Sequence, residues 1–162
     1  MRGSIRVLWL AVAVLATGLV SAGSPQAQGN DEPAVREATA KFYAALNVLF
    51  TGNAGPMKDV WSHADDVTYL GPVGGFKKGW AAVQADWDAQ AALKLGGSVK
   101  PEDLHVTVGQ NIAVVSNWEK GEITVSGKVE IVSIRATNLF RKEAGVWKMI
   151  GHHTDLLPYL AK

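Results

Sequence analysis

The chain contains no cysteine, which excludes a disulfide framework and all thiol chemistry. It has no excess of charge either. Its 16 Lys plus Arg face 15 Asp plus Glu, for a net charge of +1, so nothing electrostatic favours a nucleic-acid partner. No HxH, no HExxH and no carboxylate cluster at ligand spacing is present, so no metal site is expected. The glycines of Gly71-Pro72-Val73-Gly74-Gly75 are not followed by the Gly-Lys-Ser/Thr of a phosphate loop, and no cofactor is implied. Repeats and low-complexity tracts are also missing. Apolar residues are not scarce: they make up 48% of the 162 residues, enough for one domain held together by its core alone.

The N-terminus carries the one long apolar run, Val7 to Val20, behind Arg2 and Arg6. A basic start, an apolar stretch of this length and the small residues Val20-Ser21-Ala22 read as a secretory signal over residues 1–22, with Pro25-Gln26-Ala27 as a weaker second cleavage site. The alternative, a membrane anchor, needs a run of about 20 apolar residues, and this one is short. Losing Arg2 and Arg6 lowers Lys plus Arg from 16 to 14 against 15 acids, so the mature chain carries −1. The expected location is therefore periplasmic or secreted, with no membrane contact after cleavage. Residues 23–32, rich in Gly, Gln and Pro, read as a flexible tether, and residues 33–162 as the folded domain.

Within the domain the hydrophobic period changes once. Val35, Ala38, Phe42, Ala45, Leu46 and Leu49 form a helical stripe that starts near Pro33, with Asn30 or Asp31 as cap, and stops at Gly52. A short helix is expected over Pro56 to Trp61, a strand over Asp66 to Leu70, and a third helix from Gly79 to Gly96-Gly97 with Trp80, Val83, Trp87 and Gln90 or Ala91 on one face. From Leu104 onward the period is 2. Ile112-Val114-Ser116-Trp118 alternates with Ala113-Val115-Asn117-Glu119, and Val129-to-Leu139 with Glu130-to-Phe140. Turns fall at Gly109-Gln110-Asn111, Ser126-Gly127 and Glu143-Ala144-Gly145. Helices followed by a meander of about four long strands predict an α+β fold. Both strand faces carry apolar residues, so helices are expected to cover one and a second subunit the other.

The order of these elements, the helix Val35-Arg36-Glu37-Ala38 to Asn47, Asp66-Val67-Thr68-Tyr69-Leu70-Gly71-Pro72 ahead of Gly79-Trp80, and above all Arg135-Ala136-Thr137-Asn138-Leu139-Phe140-Arg141-Lys142, a Gly turn and Val146-Trp147-Lys148-Met149-Ile150-Gly151-His152-His153 resemble the SnoaL-like branch of the nuclear transport factor 2-like superfamily. The resemblance runs from about Pro33 to Leu157. It implies a cone-shaped, curved antiparallel sheet wrapped around about three N-terminal helices, with an apolar pocket at its open end. Members include ketosteroid isomerases, polyketide cyclases, dehydratases and non-catalytic binding or dimerising modules, so the resemblance implies a pocket more firmly than a reaction.

Within such a cone the candidate catalytic residues are His153, Asp66 and Tyr69. Alternation from Trp147 and Met149 selects His153 over its neighbour His152, since adjacent strand residues face opposite ways. Asp66 is a candidate base and Tyr69 its oxyanion partner. Both also suit a solvated turn and a half-buried strand. Trp80, Trp87 and Trp118 are candidates to line an aromatic pocket or to be ordinary core. Arg135 and Asp155 are candidates to anchor an anionic ligand, or Arg135 to form a structural ion pair with Asp155 or Glu119. Tyr43 stands where ketosteroid isomerases keep a Tyr, but no acidic partner is evident in the sheet. The expected ligand is small and apolar or aromatic, and the expected assembly is a homodimer through the sheet. The activity expected is proton transfer of the isomerase, cyclase or dehydratase type; the alternative is a non-catalytic small-molecule-binding or dimeric interaction module.

Overall fold

The computed structural model describes residues 31–160. The signal over residues 1–22 and all of the tether except Asp31 and Glu32 lie outside the described residues. Three helices, α1 (Glu32–Leu49), α2 (Met57–Val60) and α3 (Trp80–Ala92), accompany six strands: β1 (Thr68–Leu70), β2 (Lys77–Lys78), β3 (Ser98–Val108), β4 (Ile112–Val125), β5 (Lys128–Glu143) and β6 (Val146–Thr154). One sheet holds them in the order β2-β1-β6-β5-β4-β3, antiparallel throughout except where β1 runs parallel to β6. The fold is α+β, as the change of period predicts.

α1 forms where its stripe says it should. Val35, Phe42, Tyr43, Leu46 and Leu49 are buried on one side, each large apolar side chain contributing about 1.5–3 kcal/mol. Its first residue follows Asp31, whose carboxylate does not cap the helix but accepts two 2.9 Å hydrogen bonds from Lys142 Nζ, tying the helix start to β5. Two hairpin turns place both central residues at positive φ, Ser126-Gly127 and Ala144-Gly145, the twist that two-residue turns need to match flanking strands. β3 begins earlier than the period-2 signal, because Pro101 sits inside it. As an edge strand it can tolerate a missing N–H there.

The helices pack on one face of the sheet. Ala113, Val115, Asn117 and Glu119 of β4 and Val132, Ile134, Ala136, Asn138 and Phe140 of β5 are buried there. The opposite faces of the same strands carry the exposed Ile112, Trp118, Val129 and Ile131.

β6 contains one irregularity that decides the site. Leu139 pairs with Gly151 and Phe140 with Met149, so Ile150 is an extra residue, a bulge, between them. Inward positions therefore run Trp147, Met149, then His152. The unbroken alternation that selects His153 does not hold: the bulge shifts the phase by one, buries His152, and turns His153 to the outer face, where its Nε2 lies 3.1 Å from Thr68 Oγ1.

Candidate active site

Three strands and α1 bring five polar side chains together inside the apolar interior: Tyr43, Asn117, Glu119, Asn138 and His152, all buried. Their hydrogen bonds can be given direction, because some atoms can only donate or only accept. Asn117 Nδ2 and Asn138 Nδ2 donate to Tyr43 Oη at 2.8 and 3.3 Å. The phenol must then donate its own proton, and it does so to Glu119 Oε1 at 3.0 Å. Asn138 Nδ2 also donates to Asn117 Oδ1 at 3.0 Å, leaving Asn138 Oδ1 to accept from His152 Nδ1 at 2.6 Å. The imidazole is thereby held with its proton on Nδ1 and its lone pair on Nε2, which lies 3.5 Å from Glu119 Oε1.

Burial governs the charge state of this cluster. It pushes the Glu119 carboxyl up to about 7, the hydrogen bond from Tyr43 pulling the other way. Burial, with a smaller contribution from His153, pushes His152 down to about 3. The imidazole is neutral near pH 7, so its contact with Glu119 is not an ion pair. It is a base facing a carboxyl that is divided between its acid and carboxylate forms, and a protonated Glu119 needs only a small movement to donate to Nε2. Burial also raises the Tyr43 and Tyr69 phenols well above their ordinary range, so both keep their protons.

Glu119 and His152 line a cavity whose other walls, apart from Tyr69 and Gln90, are apolar, including Phe50, Trp87, Ile123, Val132 and Ile134. Tyr69, directly beside His152 across the β1–β6 pairing, lies parallel to the imidazole with ring centroids 5.8 Å apart. Pro72, Leu157 and Leu160 complete the wall. The segment after β6 is fastened there by Leu157 N donating to Pro72 O at 3.0 Å and Tyr159 Oη donating to Ile131 O at 2.7 Å. The enclosed space is ≈40 Å³, enough for about one water molecule. The Trp87 Nε1–H is buried with no partner among the described residues.

Of the residues singled out from the sequence, Tyr69 and Trp87 belong to this cavity and the rest do not. His153 faces outward for the reason given above. Asp66 sits in an exposed turn and holds Arg141 in a bidentate pair at 2.6 and 3.1 Å; that guanidinium lowers its pKa, so it is an ionised surface carboxylate rather than a base in a dry pocket. Trp118 follows the outer face of β4 and is 39% exposed. Trp80 shares a helical face with Trp87 but lies about 10 Å nearer the helix start, where it stacks on His63 with centroids 4.5 Å apart. Arg135 and Asp155 also lie on the outer face, not buried. They form a bidentate pair at 2.8 and 2.8 Å, and the guanidinium pulls Asp155 down to about 2.

Asn117, Glu119, Asn138 and His152 escape the sequence reading, although a signal for them exists. Along β5 the face Val132-Ile134-Ala136-Asn138-Phe140 is more uniformly apolar than Ile131-Ser133-Arg135-Thr137-Leu139. A polar residue on the more apolar face is the one forced inside. Glu119 is also the acidic partner for Tyr43 that the strands do not make evident when read singly.

Among the described residues, no group of three or more His, Cys, Asp or Glu is placed to hold a metal ion. No helix among them is long and apolar enough to cross a membrane.

Comparison with curated proteins finds no match. Solved structures do match. A candidate dehydratase of the NTF2-like family from Streptomyces avermitilis is 21% identical with a TM-score of 0.71, covering 82% of this chain and 99% of that one. A candidate calcium/calmodulin-dependent protein kinase type II association domain from Thiobacillus denitrificans is 26% identical with a TM-score of 0.60, over 75% of this chain and 94% of that one. A candidate ketosteroid isomerase from Shewanella frigidimarina is 20% identical with a TM-score of 0.63, over 78% and 98%. The sequence model of the SnoaL-like domain matches residues 35–157, which span every element built above except the first turn of α1, and the chain belongs to the SnoaL-like family of NTF2-like folds.

Proposed function

We propose that this domain takes a small, mostly apolar organic molecule into the cavity against the inner face of the sheet and moves a proton on it, chemistry of the isomerase or dehydratase type. The observation that carries this reading is the Glu119 carboxyl, buried among apolar walls, held at a pKa of about 7 and facing the free Nε2 of a neutral His152 at 3.5 Å. A group that is half protonated at working pH serves best as acid and base. Tyr43 and the two asparagines fix its geometry. Two matched solved structures carry dehydratase and ketosteroid isomerase names, consistent with this class. Export with cleavage after residue 22, and a homodimer formed through the outer sheet face around Trp118 and Ile131, belong to the same proposal.

The test is hydrogen–deuterium exchange at acidic C–H bonds. A panel of small ketones is incubated with the protein in D2O and followed by NMR. The expected result is exchange above the buffer rate, lowered at least about a hundredfold by Glu119→Gln. Exchange at the buffer rate with wild-type protein, or undiminished exchange with Glu119→Gln, overturns the catalytic reading.

A second reading is favoured by the size of the cavity. The lining side chains leave only ≈40 Å³ between them, as suits a dimeric interaction module. Saturable binding of any of the ketones separates the two, because a ligand of that size can enter only if lining side chains move aside.

A further inference from the structure

The two buried tyrosines differ in one respect that the proton-transfer reading does not use. Tyr43 has every hydrogen-bonding capacity of its hydroxyl engaged, two acceptances and one donation. Tyr69 has one contact: its Oη accepts from Gln90 Nε2 at 3.0 Å. The direction of that bond is fixed from outside. Gln90 Nε2 also lies 2.7 Å from Asp86 Oδ2, and Asp86, with Lys77 Nζ 3.4 Å from its Oδ1, is a carboxylate that can only accept. Gln90 must therefore turn its NH2 group toward both neighbours and spend one hydrogen on each. Tyr69 is left with an O–H proton that has no acceptor among the described residues, on a side chain that is 2% exposed and lines the cavity. The ring cannot easily rotate away. A Cβ placed on Gly71 would fall 1.9 Å from Tyr69 Oη, which shows how closely the backbone abuts the hydroxyl.

Buried donors in native proteins are paired, and this one belongs to a side chain that lines the cavity. We propose that Tyr69 donates a hydrogen bond to a carbonyl-type acceptor oxygen of the bound ligand, and that Gln90 and Asp86 are positioning residues that set this polarity. The inference rests on the reading that the cavity opens to a ligand. It adds the second polar contact: with Glu119 and His152 on one side and a committed donor on the other, the site prefers a ligand bearing an acceptor oxygen to a hydrocarbon of the same shape.

Acetophenone and α-methylstyrene, which differ by C=O against C=CH2, test this in wild-type protein, Tyr69→Phe and Gln90→Glu. The Gln90→Glu variant carries Asp86→Asn as well, so that position 86 offers an N–H in place of a second carboxylate; the atom facing Tyr69 is then an oxygen, and Tyr69 must donate to it. Binding is measured calorimetrically, and the carbonyl stretch of bound acetophenone by infrared spectroscopy. In wild-type protein the stretch is expected below its position in hydrocarbon solvent. Both variants are expected to return it upward and to lose about tenfold in acetophenone affinity, while α-methylstyrene affinity changes by less than about twofold. An unshifted stretch in wild-type protein that binds α-methylstyrene, or a shift that survives Tyr69→Phe, overturns the donor role and leaves the cavity reading intact. A shift lost in Tyr69→Phe but kept in Gln90→Glu overturns the positioning role. If wild-type protein binds neither compound, the cavity reading itself falls and this inference with it.

Discussion

The two faces of the β4–β5 pair are made by the same strands and behave as different media. On the inner face Asn117, Glu119 and Asn138 are buried and joined to Tyr43 and His152 with each hydrogen bond directed. On the outer face, one residue along, Arg135 and Asp155 form a bidentate ion pair with contacts as short as most of those inside. The contrast shows that contact geometry alone does not rank interactions. The outer pair is solvated at both ends and is screened. The inner network has lost its water, so each missing partner would leave a buried group unsatisfied.

The sharpest way to break the comparison is a pair of neighbours on β5. Asn138→Ala strips the partner from His152 Nδ1 and from Asn117 Oδ1, and is expected to cost about 3 kcal/mol in denaturant unfolding. Thr137→Ala, facing outward, is expected to change stability by less than about 0.5 kcal/mol. Equal costs would mean that the inner network is no better isolated from water than the outer surface.

Glu119→Gln tests the isolation by pH. The carboxyl's ordinary value is 4.5 and its folded value about 7, so the folded chain holds the proton more tightly. Its contribution to stability is complete below pH 4.5 and is lost as the pH rises through 7. Glutamine does not titrate. The variant is therefore expected to gain on wild type by up to about 3 kcal/mol between pH 4.5 and 8, and parallel stability curves would show that Glu119 is not desolvated. Gly71→Ala probes the edge of the cavity: a methyl group forced against Tyr69 Oη is expected to cost about 1–3 kcal/mol and to shift tyrosine fluorescence. At the weak end, Arg135→Ala is expected to leave the melting temperature unchanged within measurement error, at low salt as at high. A clear loss would place that pair in the structural framework.

The architecture was legible because it is written in periods. The stripe from Val35 to Leu49 matches α1, and the alternation after Leu104 matches β4, β5 and most of β6. The site was less legible for two physical reasons. Which face of a strand is buried depends on the relative apolarity of two alternating sets, and Val129, Ile131 and Leu139 make the outer set of β5 look like core until it is compared with Val132, Ile134 and Phe140. Alternation also carries information only while the pairing stays in register, and nothing in Met149-Ile150-Gly151 announces the extra residue. Tyr69 was recognisable from its place in a short strand ahead of a glycine loop. Gln90, whose importance lies only in the direction of one hydrogen bond, was not.

That extra residue makes the identity of the inward histidine a matter of counting. His152 and His153 are the same side chain on adjacent positions, and chemistry alone does not choose between them. Ile150 sets the parity. Were Ile150 paired with Leu139 in an unbroken ladder instead, Gly151 would take the place beside Asn138, His152 would turn outward, and His153 would face inward one pair further on, opposite Ala136. Which histidine faces inward is thus set by the bulge, and a change in the number of paired residues between Met149 and His152 would change the answer without altering either side chain.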